Sequence, residues 1–372
     1  MRKYRKLLFL LVALSLVGLF VYKFKDSINI GGFHWSTVSE SLRQARVSLL
    51  VLGVVATYCC FALRSLRWMR FSRSLGRLKF WDVFSATVSG FACVFLLGRA
   101  GEPVRPVLIS RKSGISMPAM FGVYVLERIA DIAAAGAIAV LALMFFGRNG
   151  QALGLGDKGA AIMAHAHSAS VVLLAGLVCV IAFLVYFRFH GAHWLAAHLK
   201  ETRWRHGWRG KVILLLEGFS EGLQGIRTWQ DLTVLTGYTA IHWALIAVVY
   251  LWVAHAFPGR LSTISLGSML LVLAFGLIGS TMQAPGVGGG AQGATFLVFT
   301  FVLGVDPGSA FVASMMLWLV TFVSSALLGL PLLFREGWSV GELQRMAQAE
   351  EEGGEEELLV EAEESAAQGK LP

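Results

Sequence analysis

Apolar positions along this chain come in long blocks, neither alternating nor in heptads, and short polar connections separate the blocks. Predominantly apolar runs occupy 7-22, 47-65, 118-147, 168-187, 232-256 and 308-334. A hydrocarbon core about 30 Å thick takes roughly 20 apolar residues of helix, and several of these runs approach or exceed that length. Each is expected to form a membrane-spanning helix. Two further apolar stretches, 82-98 with 100-112 and 265-284 with 289-304, are interrupted by Gly and Pro. They are expected to break at membrane depth, where non-helical backbone is tolerated only if protein or water covers it.

The polar connections indicate how many of these segments cross. Short loops rich in Lys and Arg stay cytoplasmic. The chain opens on Met1-Arg2-Lys3-Tyr4-Arg5-Lys6, so it is expected to start inside. The run that follows ends in Tyr22-Lys23-Phe24-Lys25 with no small-residue cleavage site, which predicts an uncleaved anchor. The connection 64-81 carries Arg64, Arg67, Arg70, Arg73, Arg77 and Lys79 and belongs inside, as does 188-231 with Arg188, Lys200, Arg203, Arg205, Arg209, Lys211 and Arg227. A single crossing by 82-98 would put 188-231, and the loop with Arg99, Arg105, Arg111 and Lys112, on the wrong side. A re-entrant hairpin that turns near Gly98-Arg99-Ala100-Gly101 keeps every basic connection inside.

The second half repeats this plan with a shift of 190 residues. Gly98 pairs with Gly288, Glu102 with Gln292, Gly114 with Gly304, Ile115 with Val305 and Phe121 with Phe311. Three crossings separate the halves, so the second enters the membrane with opposite polarity, as in many alternating-access transporters. The expected fold is an all-α polytopic membrane protein with about six full transmembrane helices and two re-entrant helical hairpins in an inverted-topology repeat. The first repeat covers 1-150 with hairpin 82-112. The second covers 151-335 with hairpin 265-304 and a cytoplasmic interfacial segment at 190-231, where Trp194, Trp204, Trp208 and Trp229 suit interfacial anchoring. Residues 336-372 are expected to form a disordered acidic tail, with both termini cytoplasmic.

Composition agrees. Of 372 residues 56% are hydrophobic and 15% charged, against roughly 25% charged in a soluble domain, so lipid is the solvent for most of the chain. The net charge of +9 averages two regions: 349-372 carry nine Glu and one Lys, leaving 31 basic and 14 acidic residues elsewhere. That basic excess flanks membrane segments, which points to topology and anionic lipid, not to nucleic acid. Cys59, Cys60, Cys93 and Cys179 lie in apolar runs, and His165, His167, His190, His193 and His198 match metal spacings only loosely. Neither a metal site nor a cofactor is expected.

Chemistry concentrates in three short runs. The first is Gly98-Arg99-Ala100-Gly101-Glu102-Pro103-Val104-Arg105, in which Glu102 is within reach of Arg99 and Arg105. The second is Glu127-Arg128-Ile129-Ala130-Asp131, with both acids on one helical face. Charges at this depth cost several kcal/mol each, so they pair, face water or bind a ligand. Two readings stay open: internal ion pairs that position the hairpin, or an anion site in which Glu102, Glu127 and Asp131 hold Arg99, Arg105 and Arg128. Planar guanidinium suits phosphate. The third run is Gln283-Ala284-Pro285-Gly286-Val287-Gly288-Gly289-Gly290-Ala291-Gln292-Gly293. Its Gly-rich turn leads into a helix and offers backbone N–H groups to an anion, or else serves close helix packing. Gln283 and Gln292 are its amides. Gly98, Gly101, Pro285, Gly286, Gly288, Gly289 and Gly290 are the candidate turn and gating positions. No P-loop lysine and no nucleophile with its base is present, so neither nucleotide binding nor enzymatic activity is expected.

The run GRAGEPVRPVLISRKSGISMPAMFGVYVLERIAD, followed at long range by APGVGGGAQGATFLVFTFVLGV, resembles the flippase-like family named for the lysylphosphatidylglycerol synthase transmembrane region, over roughly residues 5-335. The resemblance implies an integral membrane protein that moves lipids or lipid-linked groups between leaflets. In the multiple peptide resistance factors this region is fused to a soluble aminoacyltransferase domain, of which nothing here after 335 is a candidate. The family pattern has a Glu after the Gly-rich turn where this chain has Gln292, which leaves Glu102, Glu127 and Asp131 as the acids of the site. The expected function is a translocator of a phospholipid or lipid-linked anionic headgroup in the inner membrane. The alternative is a membrane subunit that stabilises a lipid or envelope biosynthesis enzyme.

Overall fold

The computed structural model describes residues 34–149 and 228–337 apart from 285 and 287, together with positions 175 and 341. The span expected at 7-22, all of that at 168-187 except position 175, nearly all of the interfacial segment 190-231 and nearly all of the tail 336-372 lie outside the described residues. So do the side chains of Arg99 and Gln283.

Helix α1 (Trp35–Arg43) leads into α2 (Val47–Phe71), which tightens into a 3-10 turn at Ser72–Ser74. Then come α3 (Phe80–Leu97), a 3-10 turn at Gly98–Gly101, α4 (Val104–Ser113) and α5 (Met117–Asn149). The second described part holds α6 (Trp229–His255), a 3-10 turn at Gly259–Thr263, α7 (Leu266–Gly279), the two-residue strands β1 (Gln283–Ala284) and β2 (Gly288–Gly289), and α8 (Gly290–Leu297). A π turn at Val298–Val302 continues α8. The last span is α9 (Pro307–Trp318) and α10 (Ser324–Arg335), joined through a π turn at Leu319–Val323.

Among the described residues five segments are long and apolar enough to cross a membrane: Val47–Ser74, Phe80–Leu97, Met117–Phe145, Trp229–His255 and Pro307–Arg335. Apolar side chains point outward along them, as Val47, Val51 and Val55 do on one stripe of α2. A stripe of that kind suits lipid. The runs expected at 47-65, 118-147, 232-256 and 308-334 are each helical, but α2 continues through Phe71. Arg64 and Arg67, assigned from the sequence to a cytoplasmic connection, therefore sit inside a helix. A charge count ended the helix too early because these two guanidiniums are neutralised by partners from α5.

Both interrupted stretches double back. Along α3 and α4, a Cβ on Gly90 would lie 2.7 Å from Cβ of Arg105, and one on Gly101 only 2.4 Å from the carbonyl carbon of Cys93. Only glycine lets the arms approach so closely. In the second stretch a Cβ on Gly290 would lie 2.1 Å from the carbonyl oxygen of Gly279, so α7 and α8 cross there at glycines. The tip between them is a small antiparallel bridge, Gln283 opposite Gly289 and Ala284 opposite Gly288, which the helical reading of 265-304 did not include. Positive φ at Gly286, Gly288 and Gly289 makes so tight a turn accessible.

The two tips touch. The N–H of Gly286 donates to the carbonyl of Phe95 at 2.8 Å, and the Phe95 ring lies 6.0 Å from that of Trp318 on α9. Two apolar cores flank this junction. One gathers Trp68, Phe71, Val83, Met120 and Val123 around the first hairpin, and the other gathers Phe257, Met269, Phe299 and Leu317 around the second.

Candidate functional site

The site grows from helix periodicity. Arg64, Arg67, Trp68 and Phe71 follow the i, i+3, i+4, i+7 spacing of one helical face, and all four are buried. Glu127 and Asp131, four residues apart on α5, present their carboxylates to that face. α4 brings Arg105 from the side, and α6 brings Thr239 and His242.

Glu127 is the hub. It is fully buried, and its Oε1 accepts from Nη2 of Arg67 at 2.7 Å and from Nη1 of Arg64 at 3.3 Å. Its Oε2 accepts from Nε1 of Trp68 and from Nη1 of Arg105, both at 2.7 Å. Asp131 takes Nη2 of Arg67 at 2.8 Å, Nη2 of Arg64 at 3.0 Å and Nη2 of Arg128 at 3.2 Å. Arg67 also reaches Oγ1 of Thr239 at 3.1 Å, and Nε of Arg64 donates to Nε2 of His242 at 3.2 Å. That bond requires His242 to accept at Nε2, so its proton sits on Nδ1.

The depth of this network follows from the helical rise of about 1.5 Å per residue. Glu127 and Asp131 lie about 15 and 21 Å along α5, which is about 50 Å long, His242 about 20 Å along the roughly 40 Å of α6, and Arg64 and Arg67 about 26 and 30 Å along the roughly 38 Å of α2, so the network sits within the spans and away from their ends. Four guanidiniums meet two carboxylates there. Arg64, Arg67 and Arg105 are at most 7% exposed, whereas the Arg128 side chain is 34% exposed and forms the open edge.

Of the residues selected from the sequence, the structure brings Arg105, Glu127, Arg128 and Asp131 together. Glu102 does not join Arg105; its carboxylate accepts the Tyr124 hydroxyl, and the Tyr124 ring lies 5.3 Å from the Arg128 guanidinium carbon. The interval of three residues between Glu102 and Arg105 spans the start of α4, so the two side chains leave the turn differently. Gln292 acts within its own hairpin. Its Oε1 accepts the N–H of Gly289 at 2.8 Å, while its amide lies beneath Gly288 beside Trp318. Gly98 and Gly288 both have positive φ at the bends, Gly101 and Gly290 sit at the close approaches, and Gly286 makes the contact between the tips. Pro285 lies outside the described residues.

The selection missed Arg64, Arg67, Trp68 and His242. Their signal was present: a pair of arginines on the same face as Trp68 and Phe71, and a histidine in the middle of an apolar span. An ionisable residue at that depth is a candidate for function.

The model of the family described as the lysylphosphatidylglycerol synthase TM region matches residues 7–329. The chain belongs to this family. The match takes in both hairpins and all the helices that form the charged network, so the lysylphosphatidylglycerol synthase TM region family supplies its membrane architecture and a link to membrane lipid. No curated protein matches the chain.

Proposed function

We propose that this protein moves an anionic amphiphile, a phospholipid or lipid-linked headgroup, between leaflets of the inner membrane. The observation that carries the reading is a buried network with more guanidiniums than carboxylates, within the spans, whose Arg105 comes from the hairpin that meets the other hairpin tip at Phe95 and Gly286. Positive charge at that depth suits a phosphate in transit. Arg105 and Arg128 contact the headgroup, Arg99 contributes from the tip, and Glu127 and Asp131 hold the guanidiniums.

In this reading both broken stretches are re-entrant and the halves form an inverted repeat. At about 1.5 Å per residue α4 and α7 reach about 15 and 21 Å, short of a 30 Å core. Positions 190 residues apart also share a positive φ, 67° at Gly98 and 78° at Gly288, and 70° at Gly114 and 61° at Gly304. Both termini are cytoplasmic, and the glycine tips gate.

The test is reconstitution into liposomes with fluorescent phosphatidylglycerol, read by loss of the outer-leaflet label. The native chain accelerates exchange, and Arg128→Ala slows it at least about tenfold. Exchange no faster than in protein-free liposomes for every anionic lipid tried would overturn the reading. The density of ion pairs around Glu127 favours a second reading, a subunit that stabilises a lipid-synthesising enzyme. That reading predicts a stoichiometric co-purifying partner and unchanged exchange in Arg128→Ala.

A further inference from the structure

The hydrogen bonds around Glu127 use the arginines unequally. Arg64 spends all three of its nitrogens on Glu127, Asp131 and His242, whereas Arg67 spends both terminal nitrogens on Glu127, Asp131 and Thr239 and, like Arg128, leaves a single buried donor, Nε, without a partner among the described residues. Arg105 commits Nη1 alone, to Glu127. Its Nε and Nη2 are buried and have no hydrogen-bond partner among the described residues. These two N–H groups lie on one edge of the guanidinium and point in parallel. They form the fork that takes two oxygens of one phosphate or carboxylate group.

The plane of that fork is fixed. The Trp68 ring lies 4.4 Å from the Arg105 guanidinium carbon, and the Trp68 indole N–H holds the same Glu127 oxygen that Nη1 of Arg105 holds. Ring and carboxylate together leave the guanidinium little freedom to turn. Burial adds a cost: Arg105 is 4% exposed, and an unsatisfied buried donor costs on the order of 1–3 kcal/mol, more when charged. The charge count agrees, because Arg64, Arg67, Arg105 and Arg128 face Glu127, Asp131 and, at the rim, Glu102, which leaves this cluster of seven side chains with one positive charge.

We propose that the Nε–Nη2 edge of Arg105 is a bidentate receptor for the singly charged phosphate oxyanion of an amphiphile, with Trp68 and Glu127 as its positioning residues. This rests on the site of the translocator reading and specifies its ligand chemistry. Arg64 and Arg67 hold the carboxylates and do not touch the ligand.

The test measures binding to the purified full chain in detergent, by shift of the thermal midpoint and by titration calorimetry. Three probes are used: dioctanoyl phosphatidylglycerol, inorganic phosphate, and dioctanoylglycerol as the phosphate-free control. Arg105→Lys keeps the charge but removes the fork, and is expected to weaken phosphatidylglycerol binding at least about tenfold. Arg70→Lys, at a guanidinium that pairs with Asp231 outside this network, is expected to leave that affinity within about twofold. Binding of the lipid probe but not of free phosphate supports a headgroup as the source, and binding of both through Arg105 supports the oxyanion chemistry common to them. Equal stabilisation by dioctanoylglycerol, or equal phosphatidylglycerol affinity in native and Arg105→Lys chains, would overturn the proposal. Should Arg105→Lys not fold, a density map of the native chain with phosphatidylglycerol decides: phosphate oxygens within about 3 Å of Nε and Nη2 support it, and any other location overturns it. Phosphate bound at Arg105 in a chain that does not accelerate lipid exchange would sink the translocator and leave the receptor standing.

Discussion

Glu127 carries the largest consequence of any single side chain in the described structure. Its two oxygens receive three guanidiniums and an indole, so a neutral substitute strands charge in a place water does not reach. Breaking one side of a buried pair costs about 3–5 kcal/mol. Glu127→Gln is expected to lose stability of that order, measured by thermal unfolding in detergent with denaturant titration as a check. His242 tests a weaker link in the same network, because Nε of Arg64 needs an acceptor there. His242→Leu removes it and should destabilise by about 1–3 kcal/mol, while His242→Gln, whose amide oxygen accepts, should restore most of the loss. At this scale the sequence displayed the acids and Arg105 openly, because they sit in short runs of charge. Arg64 and Arg67 were legible only by extending the helical face of Trp68 and Phe71 beyond the apolar run.

Elements depend on close approaches as much as on hydropathy. The second hairpin crosses at Gly279 and Gly290, where an added methyl would overlap a carbonyl, whereas Gly293 has nothing within 4 Å of an added Cβ. Gly290→Ala is therefore expected to cost about 2 kcal/mol or more, as overpacking does, and Gly293→Ala to be neutral or slightly stabilising. Parallel melting curves of the two variants check this; equal midpoints would contradict the crossing. The start of α6 is set by a capping box, in which the Thr228 hydroxyl accepts from the N–H of Asp231 while the Asp231 carboxylate accepts from the N–H of Thr228. Thr228→Ala should cost about 1 kcal/mol, seen as faster hydrogen exchange in the first turn of α6.

At the scale of the whole molecule the question is which ends share a side of the membrane. If the first hairpin is re-entrant, cysteines at Arg77 and Ser113 in a cysteine-free background react with a membrane-impermeant maleimide from the same side, the cytoplasmic one. Cysteines at Ser262 and Asp306, which flank the second hairpin, should react only from the opposite side. Labelling of Arg77→Cys and Ser113→Cys from different sides would make α3 a full crossing and remove the inverted repeat. The basic connection after α2 still favours the cytoplasm without Arg64 and Arg67, because Arg77 and Lys79 lie between the helices and Arg73 in the 3-10 turn that ends the span.

By itself the sequence determined the helical membrane character, four of the spans among the described residues, and the two places where helices break. These are local properties: a run of apolar side chains fixes its solvent, and glycine or proline fixes where regular backbone stops. It also pointed to Arg105, Glu127, Arg128 and Asp131 as charges at membrane depth. Tertiary structure alone decided their partners. Arg67 and Glu127 are 60 residues apart, and which nitrogen of which guanidinium meets which oxygen depends on how α2, α4, α5 and α6 cross. That crossing also left the Nε and Nη2 of Arg105 unmatched. No linear pattern records such a remainder, because it is set by four helices at once.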